Sequence, residues 1–127
     1  MATVNQVRKT VRMDLWNIVR FQIATHCVLK ELNVSDSDLN CLTFLALGGE
    51  QPLTEFCDAA TENKIFGSSQ SVRSAVTKAE KKDLVVKNGE YNKLIRVNPD
   101  LKIQTSGNIL LDYKFVRVET NTPEQNT

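Results

Sequence analysis

The sequence predicts an α+β fold that is mainly α. Three observations carry this expectation. Apolar residues recur at helical spacing in four separate stretches between residues 11 and 82. The period then switches to two around Asn88-Gly89, a strong hairpin signal because both residue types accept a positive φ. A final run over residues 108–118 holds Ile109, Leu110, Leu111, Tyr113, Phe115, Val116 and Val118, and reads as a C-terminal strand.

A long first helix is expected over residues 11–33. Trp16, Val19, Ile23 and Cys27 recur at spacings of 3, 4 and 4, and no glycine or proline interrupts the pattern. Leu15, Ile18, Val28 and Leu29 widen the apolar stripe beyond the needs of a single face. One side is therefore expected to pack on its own domain and the other on a second copy of the chain. The expected homodimer contact is Leu15, Trp16, Val19, Ile23 and Cys27.

Ser35 followed by Asp38 resembles a capping box and places a second helix start near Asp36, with Leu39, Leu42, Phe44, Leu45 and Leu47 behind it. Gly48-Gly49 ends that helix, since glycine takes a left-handed conformation at little cost. Pro52 then opens a third helix whose Leu53, Phe56, Cys57 and Ala60 share a face. After a short connection ending at Gly67, Ser68 or Ser69 caps a fourth helix, expected over about residues 68–82. Its inner positions are Val72, Ala75, Val76 and Ala79, and its outer ones Ser69, Gln70, Arg73, Ser74, Thr77, Lys78 and Lys81. A hairpin is expected over about residues 84–97. A two-residue turn at Asn88-Gly89 would set Lys87 opposite Glu90 and Val86 opposite Tyr91. Asn98-Pro99 stops its second strand.

The chain of 127 residues suits one domain. Residues 11–118 are expected to form it, between a flexible arm over 1–10 and a disordered polar tail over 119–127. The cysteines Cys27, Cys41 and Cys57 are odd in number, spaced 14 and 16 apart, and sit among apolar neighbours. They match no zinc pattern and read as reduced, buried thiols. His26 and Cys27 are adjacent and point about 100° apart on a helix, so they cannot chelate one ion together. Asp36, Asp38, Glu55, Asp58 and Glu62 form an acidic surface, with no nucleophile, phosphate loop or metal spacing beside them. No cofactor, small-molecule ligand, metal or enzymatic activity is expected, and no membrane span.

Net charge is +1, but it is unevenly spread. Residues 35–67 carry one basic and six acidic groups, whereas residues 68–96 carry seven basic and three acidic. An anionic partner is therefore expected on the fourth helix and hairpin.

Helix, helix, short turn, helix, hairpin is the order of a winged helix-turn-helix. The stretch SSQSVRSAVTKAEKKDLVVKNGEYNKLIRVNP resembles the recognition helix and wing of such proteins, and LTFLALGGEQPLTEFCDAATENKIF resembles the two helices before them. The step AEKKDLV is similar to the LEKKGLI step of MarR-type regulators, with Asp83 in place of the glycine. The further runs IRVNPDLKI and GNILLDYKF resemble RepL-type plasmid and phage replication proteins. The resemblance covers about residues 36–115. It implies a non-enzymatic protein that binds double-stranded DNA, a transcriptional regulator or a replication-associated protein of a plasmid or phage, in a bacterial or host cytoplasm. Carried over by position, Ser69, Gln70, Arg73, Ser74 and Thr77 would face bases. Lys78, Lys81, Lys87, Asn88, Lys93 and Arg96 would meet phosphates or form the wing, with Lys64 in the turn. The alternative is a module that docks proteins and does not bind DNA.

Overall fold

Four helices and a small antiparallel sheet make up an α+β, mainly helical fold. The computed structural model describes residues 13–89, 93–107, 109 and 116. The expected arm over 1–10 and tail over 119–127 lie outside the described residues, as does all of the expected 108–118 strand except Ile109 and Val116. The element order is α1 (Leu15–Leu29), α2 (Asp36–Gly48), β1 (Gln51–Pro52), α3 (Leu53–Glu62), α4 (Ser69–Lys81), β2 (Val85–Asn88), β3 (Leu94–Val97) and a 3-10 turn (Pro99–Leu101). The sheet order is β1-β3-β2, all antiparallel. This arrangement is compatible with a winged-helix layout.

Helix α1 is shorter than expected, and both of its ends have a local cause. At the N-terminus the Asp14 carboxylate accepts the Asn17 amide at 2.8 Å. At the C-terminus Glu31 takes a φ of 56°. The amides of Leu32 and Glu31 then bond back to the carbonyls of Cys27 at 2.8 Å and Val28 at 3.1 Å. This is a Schellman ending formed without glycine. Two more helices end the same way, α3 at Lys64 with φ 61° and α4 at Asp83 with φ 58°. The backbone of Asp83 adopts the left-handed conformation that glycine favours.

The apolar stripe of α1 is committed to its own domain. Val19 and Ile23 are fully buried and Cys27 nearly so, in a core shared with Leu39, Leu42, Leu45, Phe56, Val72, Val76, Leu84, Val85 and Ile95. Val19, Ile23 and Cys27 therefore cannot form the expected dimer contact. Their surface is already withdrawn from solvent by α2 and the core. Trp16 is half-buried and Leu15 exposed. The most exposed large apolar residues of α1 are Val28, at 74%, and Leu29, at 77%. Polar clamps reinforce the helix. Arg20 donates to the Asn40 side chain at 2.8 Å. Gln22 and Gln104 exchange two hydrogen bonds of 2.8 and 2.7 Å, which tie the chain beyond the 3-10 turn to the middle of α1.

The hairpin register also differs from expectation. Val85 pairs with Val97, Val86 with Arg96, Lys87 with Ile95 and Asn88 with Leu94. Lys87 is thus not opposite Glu90, nor Val86 opposite Tyr91. The expected register would have set core-facing Val85 against Asn92. The observed one gathers Val85, Ile95 and Val97 on one face, and burial of that face decides the pairing. The two-residue strand β1 was not expected. Gly49, at φ 74°, turns the chain out of α2, and Gln51 and Pro52 then pair with Ile95 and Leu94. Proline is tolerated there because β1 is an edge strand.

All three cysteines are free and buried. Burial, with the nearby Asp38 carboxylate, pushes the Cys41 thiol up to about 12. Burial also raises Cys27 and Cys57. No helix among the described residues is long and apolar enough to cross a membrane.

Candidate nucleic-acid interface

Helix α4 is the element the sequence singled out, and its surroundings explain why one side of it faces solvent. The Ser68 hydroxyl accepts the Ser71 amide at 3.2 Å and caps the helix. Val72, Ala75, Val76 and Ala79 are buried, and two of the four are alanine, so α4 packs closely on α3 and β2. The opposite face then has to point outward. Gln70, Arg73, Ser74, Thr77, Lys78 and Lys81 are all exposed, while Ser69 is half-buried at the helix start. Gln70, Ser74, Thr77 and Lys81 recur at spacings of 4, 3 and 4, which aligns them along one ridge. The first turn of α4 carries no acidic residue, so its positive helix end is not locally neutralised.

Arg73 lies at the margin of this ridge. Its guanidinium donates to the Thr54 hydroxyl in the first turn of α3 at 3.4 Å. Sequence reasoning missed Thr54, because no local signal links positions 19 residues apart. The Thr77 hydroxyl is turned back onto the Arg73 carbonyl at 2.9 Å, which leaves it an acceptor for an outside donor.

The hairpin lies beside α4. Asn88 and Lys93 are exposed at its outer end, Lys87 lies one rung in with a partly covered side chain, and exposed Arg96 sits nearer the base. Leu53 at the start of α3 donates its amide to the Lys93 carbonyl at 2.9 Å, which fixes the hairpin to the helix pair. Residues 90–92, between its strands, lie outside the described residues.

Three of the expected phosphate contacts have carboxylate partners within the chain. Lys78 reaches Asp38 at 3.3 Å, Lys87 reaches Glu80 at 3.4 Å, and Arg96 reaches Glu50 at 3.8 Å. Asp38, expected on an open acidic surface, is only 15% exposed at its side chain. Lys64 is exposed in the turn after α3. Glu55, Asp58 and Glu62 form the exposed face of α3.

His26, Lys30, Lys82, Asn98 and Asp100 line a cleft of about 340 Å³ between the C-terminal ends of α1 and α4. Two of its polar groups are already engaged: Lys82 donates to the Asn33 carbonyl, and Asn98 to the Asp83 carbonyl. Among the described residues, no group of three or more His, Cys, Asp or Glu could hold a metal ion. The chain matches no protein-family model, no curated protein and no solved structure.

Proposed function

We propose that the chain is a non-enzymatic winged helix-turn-helix protein that binds double-stranded DNA, with α4 in a major groove and the β2–β3 hairpin on the flanking backbone. The observation that supports this most is the single outward ridge of Gln70, Ser74, Thr77 and Lys81 with Arg73 at its margin. A major groove about 12 Å wide admits a helix, and glutamine and arginine make bidentate contacts with adenine and guanine edges. The 13 residues of α4 give a rod about 20 Å long, enough to lie along several base pairs. The biological setting follows the resemblance, a transcriptional regulator or a replication-associated protein of a plasmid or phage.

Fluorescence anisotropy with a random-sequence duplex at low salt tests the reading. Binding that weakens with salt is expected, because phosphate neutralisation releases counterions, with a shallow slope because the chain's net charge is only +1. No binding at low salt overturns it.

A second reading, a protein-docking module, is favoured by Val28 and Leu29, which leave apolar surface on the outside of α1. A homodimer built on that surface fits either reading, since DNA-binding helices commonly act in pairs. Light scattering on the native chain and on Val28→Ser/Leu29→Ser measures it. A native dimer that dissociates in the variant supports the contact, and a native monomer at micromolar concentration excludes it.

A further inference from the structure

Resting on the DNA-binding reading, we propose that Glu80, Glu50 and Asp38 are built-in competitors of phosphate, which occupy three cations of the binding face and set its affinity. Each carboxylate comes from a different place: Asp38 from the first turn of α2, Glu50 from the turn before β1, and Glu80 from the last turns of α4. Each meets a cation on α4 or on the hairpin: Lys78 on α4, Lys87 on β2 and Arg96 on β3.

The pairs differ in how firmly the cation is held. The Lys87 side chain is 29% exposed and lies against α4, because Lys87 shares the inward face of the hairpin with Ile95. Lys78 is 58% exposed, but its partner Asp38 is largely withdrawn from solvent. Arg96 is 48% exposed, and its 3.8 Å separation from Glu50 makes it the loosest pair. A phosphate approaching any of these cations must displace a carboxylate or share the cation with it. The carboxylate then remains beside the phosphate as a like charge. A paired cation therefore contributes less to binding than a cation such as Lys81 or Lys93, which has no ion-pair partner among the described residues. The seven basic groups of residues 68–96 thus overstate the charge the face offers to DNA.

The pairing also shapes the salt dependence. A cation that passes from carboxylate to phosphate exchanges one anion for another. Its contribution to the decline of affinity with salt is smaller than that of a free cation, which contributes about 0.9 to the logarithmic slope.

Anisotropy titrations with one random-sequence duplex across a salt series test the proposal on the native chain, Glu80→Gln, Glu50→Gln and Glu31→Gln. Glu31 is exposed at the end of α1 and has no ion-pair partner among the described residues, so it controls for the bare change in net charge. Glu80→Gln is expected to tighten binding about two- to five-fold at low salt and to steepen the slope, with Glu31→Gln nearly unchanged. Lys87→Ala is expected to weaken binding more in the Glu80→Gln background than in the native chain. Circular dichroism confirms that each variant is folded. Equal effects of Glu80→Gln and Glu31→Gln, or an unchanged slope, overturn the proposal while the DNA-binding reading stands. Failure of the native chain and of every variant to bind overturns both.

Discussion

Helices α3 and α4 pack against each other, and their inner faces are built alike. Phe56, Cys57 and Ala60 on one side and Val72, Ala75, Val76 and Ala79 on the other are buried in the same core. Both helices end at a non-glycine residue in the left-handed region, Lys64 and Asp83. Their outer faces are opposites. Helix α3 shows Glu55, Asp58 and Glu62, whereas α4 shows Gln70, Arg73, Ser74 and Lys81. Burial constrains only the inner half of each helix, and that half fixes where the helix lies. The outer half is free of packing demands, so its chemistry reports on what lies outside the domain.

The contrast is sharpest in stability. Phe56 is fully buried and lies 5.8 Å, centroid to centroid, from the Phe44 ring. Phe56→Ala is expected to cost about 3–5 kcal/mol in urea unfolding. Gln70→Ala on the outer face of α4 is expected to stay within about 0.5 kcal/mol of the native chain. In DNA binding the order reverses. Arg73→Ala is expected to lose about 1–3 kcal/mol if it reads a base, while Glu55→Ala and Asp58→Ala on α3 produce no loss. A loss from the α3 variants equal to that from Arg73→Ala would break the comparison.

The buried thiols give a pH prediction for the core that both helices share. A thiol with an ordinary value of 9.0 is neutral in both states below that pH and contributes no dependence there. Between 9.0 and about 12 the unfolded Cys41 loses its proton and the folded one keeps it. Stability therefore falls as pH rises through that window, by about 1.4 kcal/mol per pH unit for a fully shifted thiol. Urea midpoints at pH 8 and 10.5 measure the fall, and Cys41→Ala is expected to show a smaller one.

Smaller gains are expected at the helix ends. Lys64→Gly is expected to stabilise the fold by about 1 kcal/mol, since lysine is strained at φ 61° and glycine is not. Asp83→Gly is expected to gain less, because aspartate tolerates the left-handed region better than lysine does. Thermal midpoints of the two variants rank them.

The features that could be read from the chain were those with local causes. The start of α2 near Asp36, its end at Gly48-Gly49, the opening of α3 after Pro52 and the buried face of α4 depend on residues within one or two turns. The features that escaped depend on distant partners. Strand β1 is two residues long and exists only because β3 is there to pair with it. The hairpin register is chosen by the core face, not by the Asn88-Gly89 step. The stripe of α1 is apolar whether it meets a second copy or its own α2, and sequence periodicity does not separate the two. Asp38, Glu50 and Glu80 escaped as ion-pair partners for a related reason. Lys78 and Asp38 are 40 positions apart, and only the folded packing of α2 on α4 joins them.

Amide chemical-shift mapping of the isotope-labelled protein, titrated with a short random-sequence duplex, tests the central claim most directly. The account predicts that the largest perturbations fall on residues 69–81 of α4 and on the hairpin around Lys87, Asn88 and Lys93, with α1 undisturbed. Perturbations confined to the outer side of α1 around Val28 and Leu29, or none at all at low salt, would contradict it.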